Sequence, residues 1–222
     1  MATAQAPGGM RGDAVFAACI ALIVACLIVS AVVASKLSVV AVAGLAVVVP
    51  VGTALYALTF AAADVLAEVW GTRHAAVGIV AGLAMRLLAV AFLGYAVVVD
   101  PVAGWQGQEA YAAVLQSSEH ILWAGIVAYA VSQPLNVLLF QAMKRRQAGR
   151  NLLWLRNNVS TFLAQGVDTA LFVLLAFGAG PEVAPILVGQ IAVKWAIALA
   201  DTPFVYLARK IATGRRLLDV TG

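Results

Sequence analysis

Asp64 and Glu68 stand four residues apart in a stretch that is otherwise almost wholly apolar. On a helix that spacing puts both carboxylates on one face. Further along, Asn158, Thr161, Gln165 and Asp168 follow at steps of three, four and three, the pattern of one continuous polar stripe. Gln190, Lys194 and Asp201 share a face in the same way, and Tyr129, Gln133 and Asn136 form a shorter one. Lys36 and Arg86 complete the charges that sit inside or at the rims of apolar stretches. Carboxylates, amides and ammonium groups of this kind suit recognition of a polar solute by hydrogen bonds. Two carboxylates as close as Asp64 and Glu68 repel unless a cation or a donor-rich ligand lies between them, or unless Glu68 faces water at the helix end.

The surroundings make these residues costly. Of 222 residues, 64% are hydrophobic and 11% charged, and the mean hydropathy is +0.98. A charge at the centre of a bilayer costs roughly 2.5–3.5 kcal/mol even on the mild insertion scale. The long Ala/Val/Leu runs do not alternate as barrel strands would. The expectation is therefore an all-α polytopic membrane protein with six transmembrane helices. Their ranges are Ala14–Ser35, Val47–Val69, Ala75–Val98, Ile121–Met143, Val159–Phe177 and Ala184–Leu207. Leu37–Val49 is apolar but too short to span, and Gly44 interrupts it. A re-entrant or hairpin segment fits it, as does a longer, tilted second helix. Residues 1–13 read as a cytoplasmic segment, 14–208 as the transport domain and 209–222 as a basic cytoplasmic tail.

Basic residues orient the spans. Lys144, Arg145, Arg146, Arg150 and Arg156 join the fourth span to the fifth, and Arg209, Lys210, Arg215 and Arg216 lie in the tail. Arg73 lies between the second and third, and Arg11 precedes the first. The alternate connections hold Asp100, Glu109, Glu119 and Glu182, with Lys36 as their one cation. Both termini are thereby expected in the cytoplasm, and the basic balance needs no nucleic acid. Trp105, Trp123 and Trp154 read as interfacial anchors, and Trp70 adjoins Glu68. Pro134 and Pro203 remove backbone donors and free the carbonyls of Ala130 and Leu199, by a kink or by a break beside a cavity. Four interior acids (Asp64, Glu68, Asp168, Asp201) against three bases (Lys36, Arg86, Lys194) suit a roughly neutral solute. For Arg86 a structural bridge and a ligand contact both remain open.

Chemistry beyond binding finds little support. There is no phosphate-binding Gly-x-x-x-x-Gly-Lys-Ser/Thr loop, no His-Glu-x-x-His and no nucleophile–base pairing. Cys19 and Cys26 share a face of the first span and read as small packing residues, and His74 and His120 make no zinc set. No cofactor, metal or enzymatic activity is expected.

Three blocks carry a resemblance. They are Asp64-x-x-x-Glu68-Val69-Trp70-Gly71, Arg156-Asn157-Asn158-Val159-Ser160-Thr161, and Lys194 followed by Asp201-Thr202-Pro203-Phe204-Val205-Tyr206, supported by Ala34-Ser35-Lys36 and Gln165-Gly166-Val167-Asp168-Thr169. In this order, over about Ser35 to Arg209, the chain resembles the queuosine precursor transporter family, also grouped as VUT-type vitamin-uptake-like proteins. That family is similar in architecture to substrate-binding subunits of energy-coupling-factor transporters. The resemblance implies a multi-pass protein of the cell membrane. It would import a 7-deazaguanine, such as 7-cyano-7-deazaguanine or 7-aminomethyl-7-deazaguanine, for tRNA-modification salvage. It implies Lys36, Asp64, Glu68, Asn158, Gln165, Asp168, Lys194 and Asp201 in or near the binding cavity. The polar faces and position add Trp70, Gln133 and Asn136. The family often has Phe-Pro where this chain has Tyr56-Ala57, and Asn where it has Ala67.

A deazaguanine presents two N–H donors that one carboxylate can accept together. Asp64, Glu68 and Asp168 are candidates for that role. Lys194, Asn158 and Gln165 could donate to the ring carbonyl, and Phe60, Trp70 or Phe162 could stack on the ring. The expected partners are the 7-deazapurine and the lipid bilayer, with a homo-oligomer or an ATPase coupling module open. Alternatives are a vitamin-binding subunit of an energy-coupling-factor transporter, docked through Ala14, Ala17, Ala18, Ala21 and Ala25, and a membrane scaffold that uses its polar faces only between helices.

Overall fold

The computed structural model describes residues 9–116, 119–146 and 152–214. The side chain of Glu119 and residues Arg150, Arg215 and Arg216, used above for orientation, lie outside that description. Seven α-helices and one β-hairpin follow in the order α1 (Met10–Val33), β1 (Leu37–Val42), β2 (Leu45–Pro50), α2 (Thr53–Val69), α3 (Thr72–Val98), α4 (Gln108–Gln116), α5 (Glu119–Arg146), α6 (Leu153–Phe177) and α7 (Ala184–Thr213). A short 3₁₀ turn at Pro181–Val183 leads into α7. Among the described residues, five helices are long and apolar enough to cross a membrane: α1, α3, α5, α6 and α7.

The second expected span, Val47–Val69, is divided. Its first residues pair as a strand, and the helix proper has 17 residues, Thr53–Val69. At 1.5 Å per residue it is about 26 Å long, a little less than a hydrocarbon core. Helix α2 packs against α1, α3, α5 and α7. Eleven of its residues are buried, Asp64 among them. The chain is thus helical with one small sheet, not all-α, and the longer tilted helix is excluded. The small helix α4 in the connection before α5 had no clear signature in the sequence. It is tied down by Gln108, whose Nε2 donates to the Val97 carbonyl at 2.8 Å.

The hairpin is antiparallel, with Leu37 opposite Pro50 and Val42 opposite Leu45. Its two-residue turn has positive φ at both positions, 51° at Ala43 and 84° at Gly44, the tight primed turn that matches strand twist. The Val51 amide donates to the Lys36 carbonyl at 2.8 Å and closes the base. Two strands leave unpaired backbone groups on both outer edges. Hydrocarbon offers those groups no partner, so the hairpin belongs at a rim of the bundle rather than at its centre. It rests on α7. The approach is close enough that a Cβ at Gly189 would come 2.2 Å from the Val48 carbonyl oxygen.

The bundle is polar inside and apolar outside. Val80, Phe92, Val98, Leu138 and Phe204 are more than 60% exposed, as a lipid-facing surface requires. Asp64, Arg86, Gln133, Asn136, Gln165, Asp168 and Lys194 are buried. Cys19 and Cys26 are free and buried. Pro134 and Pro203 lie inside continuous helices and point outward, so neither marks a break. Trp105, Trp123 and Trp154 are about half exposed, as anchors would be. Replacement of Gly189 by Ala should lift the hairpin from α7 and lower stability by about 1–3 kcal/mol. The same change at Gly94, where an added Cβ meets nothing within 4 Å, should be neutral or stabilising by up to ~1 kcal/mol. Thermal unfolding of the two variants in detergent measures the contrast.

Candidate functional site

Three buried carboxylates act as junctions between helices. Asp168 on α6 is the first. Its Oδ1 accepts hydrogen bonds from the Tyr56 hydroxyl at 2.6 Å and the Ser132 hydroxyl at 2.7 Å. Its Oδ2 pairs with the Lys194 ammonium at 2.6 Å. Lys194 also donates to Thr169 Oγ1 at 3.0 Å, and its Nζ sits 5.1 Å from the centre of the Tyr56 ring. One carboxylate therefore links α2, α5, α6 and α7. Asp64 on α2 is the second. Asn136 donates to its Oδ1 at 2.6 Å and Thr161 to its Oδ2 at 2.8 Å. Glu68 is the third, with Lys144 at 2.9 Å, Arg156 at 2.6 Å and Arg209 at 3.5 Å around it.

The first junction borders a cavity. A cavity with about 370 Å³ of non-atom space, part of it continuous with the outside, is lined by Asp168, Lys194, Tyr56, Phe172, Gln190 and Arg86. Pro50 and Gly52, at the foot of the hairpin, border it too. It therefore lies near the N-terminal end of α2. Glu68 lies twelve residues beyond Tyr56 on that helix, about 18 Å along the axis.

The expected site residues separate accordingly. Asp168 and Lys194 come together in the cavity. Asp64 and Asn136 bond to each other deeper in the bundle. Gln133 donates to Thr59 Oγ1 at 3.1 Å. Asn158 donates to the Trp154 carbonyl at 2.8 Å and to Thr202 Oγ1 at 3.0 Å. Gln165 and Asp201 are buried, and neither amide atom of Gln165, nor Oδ1 of Asp201, has a partner among the described residues. Lys36 is exposed at the base of the hairpin. Trp70 packs edge-on against Phe16 with ring centres 5.4 Å apart. Of the proposed ring-stacking residues, Phe60 is in the apolar core and Phe162 stacks on the exposed Trp195 at 5.0 Å. The aromatic side chains that line the cavity are Tyr56 and Phe172.

Sequence reasoning missed Tyr56 and Ser132, both of which bond to Asp168. Tyr56 is a single polar group beside apolar neighbours, whereas Ser132 lies three residues after Tyr129 and four before Asn136, on the face those residues mark. Arg86, for which a bridge and a ligand contact were both open, forms no ion pair among the described residues. It is 3% exposed, and its Nε and Nη1 have no partner among the described residues. No group of ligands suited to a metal ion occurs among the described residues.

Glu68 acts as a clamp between helix ends rather than as a cavity wall. Loss of one partner of a buried ion pair typically costs about 3–5 kcal/mol. The low end applies here, because the Lys144 side chain is 38% exposed. Glu68→Gln should thus lower the thermal stability of the purified protein while the folded fraction keeps its affinity for any cavity ligand. Melting curves and binding measured on the same preparation separate the two effects.

The family described as "Putative vitamin uptake transporter" matches residues 50–208. A "Probable queuosine precursor transporter" from Bacillus subtilis (strain 168) is 28% identical over 163 residues, which covers 72% of this chain and 71% of the relative. No solved structure matches. The matched segment runs from the foot of the hairpin into α7 and contains all three carboxylates, Asp64, Glu68 and Asp168, with Arg209 of the Glu68 cluster just beyond it. The chain is a multi-pass membrane protein and belongs to the family described as "Putative vitamin uptake transporter".

Proposed function

We propose that this protein imports a queuosine precursor of the 7-deazaguanine type and holds it in the cavity beside Asp168. The observation that carries the reading is the Asp168–Lys194 pair, buried at 1% and 2% exposure, in a cavity that also presents Arg86, Gln190 and two aromatic rings. Paired charge at membrane depth is retained where solutes or ions are handled. A flat ring with both donors and acceptors matches these groups in kind. The name of the Bacillus subtilis relative supports the choice of solute.

The ring would lie between Tyr56 and Phe172, with its acceptors toward Lys194, Arg86 and Gln190. Asp168 has limited capacity left. Its Oδ1 already accepts two hydrogen bonds and its Oδ2 one. A second ligand N–H would have to displace Tyr56 or Ser132, so this carboxylate reads one ligand donor while it holds the wall in place.

In the arrangement we propose, α2 also spans, as the second of six in chain order, and both termini face the cytoplasm. The Glu68 cluster then marks the cytoplasmic end and the hairpin the outer end. The buried stripe of Gln165, Asn158 and Asp201, each with an unpartnered polar atom, would carry the solute inward.

The test is precursor-dependent tRNA modification in cells that lack both precursor synthesis and their own importer. The wild-type protein should restore it with external 7-cyano-7-deazaguanine. Asp168→Asn should reduce uptake at least about tenfold, the effect of weakening charge-assisted hydrogen bonds at a buried site. Full uptake by Asp168→Asn, at equal membrane abundance, would remove the basis of this reading.

A further inference from the structure

We infer that the cavity favours a neutral or anionic precursor bearing hydrogen-bond acceptors, and disfavours the cationic 7-aminomethyl form, because Arg86 stands in it as an unpaired cation. The inference rests on the deazaguanine reading above and narrows it.

Charge in the cavity does not balance locally. Lys194 and Asp168 neutralise each other at 2.6 Å. Arg86 has no ion-pair partner among the described residues, and a guanidinium stays protonated in a protein. No other lining residue is charged. The cavity thus carries one net positive charge.

Hydrogen-bonding capacity is skewed in the same direction. Nε and Nη1 of Arg86 and Nε2 of Gln190 are buried donors without partners among the described residues. Buried donors left unpaired are costly, so a ligand that supplies acceptors to them gains most. A ring carbonyl, a ring nitrogen and a nitrile nitrogen are such acceptors. An aminomethyl group is an ammonium at neutral pH. It brings only donors and repels a like charge in a medium of low dielectric.

The position of Arg86 is built into the neighbouring helix. A Cβ at Gly125 of α5 would come 2.2 Å from Nη2 of Arg86 and 3.0 Å from its Cζ. The bare backbone of Gly125 is the notch that lets the guanidinium reach the cavity. Alanine there displaces the head of a flexible side chain and leaves its charge intact.

The experiment measures binding to purified protein of three 7-deazaguanines that differ at position 7: cyano, aminomethyl and hydroxymethyl. The hydroxymethyl compound is a neutral match in shape for the aminomethyl one, so their ratio isolates charge. Wild type should bind the cyano and hydroxymethyl compounds at least about tenfold more tightly than the aminomethyl compound, as expected for like charges brought together at a binding site. Arg86→Gln, if it elutes as a folded protein, should bring the hydroxymethyl-to-aminomethyl ratio close to one. Gly125→Ala should weaken binding of the cyano compound several-fold while the protein stays folded. Equal or tighter binding of the aminomethyl compound by wild type would overturn the inference and leave the deazaguanine reading standing. An undiminished ratio in folded Arg86→Gln would overturn it as well. Where Arg86→Gln does not fold, unchanged cyano binding by Gly125→Ala overturns the acceptor contact. Failure of all three compounds to bind wild type would sink the transport reading and this inference with it.

Discussion

A carboxylate buried among membrane helices must be fully partnered, and Asp168 meets that demand with one group from each of three neighbouring helices. Tyr56 comes from α2, Ser132 from α5 and Lys194 from α7. Hydrophobic burial gives such helices little reason to choose one another in lipid, since the tails are as apolar as the side chains. Hydrogen bonds that have no alternative partner give them a reason. The same bonds leave Lys194 and the Tyr56 ring on the wall of the cavity. Assembly of the bundle and formation of the cavity wall are therefore one event.

Asp64 and Glu68 repeat the principle at lower levels. Asp64 gathers α5 and α6 through neutral donors, and Glu68 gathers α5, α6 and α7 through cations. The gradation follows the surroundings. Near the bilayer centre, amide and hydroxyl donors satisfy a carboxylate without adding charge. At the helix ends, partly exposed Lys144 and Arg209 can keep part of their hydration. In the transport we propose, solute held beside Asp168 would pass the Asp64 level to leave at the Glu68 end, and the Asn136 and Thr161 bonds lie on that route.

Much of this was legible from spacing. The α6 stripe placed Asp168 and Thr161 on the inward face, and both are buried there. Gly44 within a short apolar run pointed to a hairpin, and a hairpin forms. Periodicity could not show depth. Asp64 and Glu68 share a face, yet four residues separate them by about 6 Å along the axis, enough to put them in different junctions. Nor could it pair residues across helices. Lys194 with Asp168, and Asn136 with Asp64, are contacts between segments far apart in sequence. Arg86 was ambiguous because a lone cation on an apolar helix reads equally as bridge or ligand contact, and only the absence of an ion pair to it among the described residues separates them. Tyr56 is instructive in another way. It stands where the resembling family often has Phe, and its hydroxyl makes one of the shortest bonds to Asp168.

On the reading we propose, the solute lies beside Asp168, and not at the deeper carboxylates. A structure of the protein bound to 7-cyano-7-deazaguanine tests it most directly. The expected result is a ring between Tyr56 and Phe172, within hydrogen-bond distance of Arg86 or Gln190, and the Asp168–Lys194 pair intact. A ring seated against Asp64 or Glu68, with the cavity at Asp168 unfilled, would contradict it.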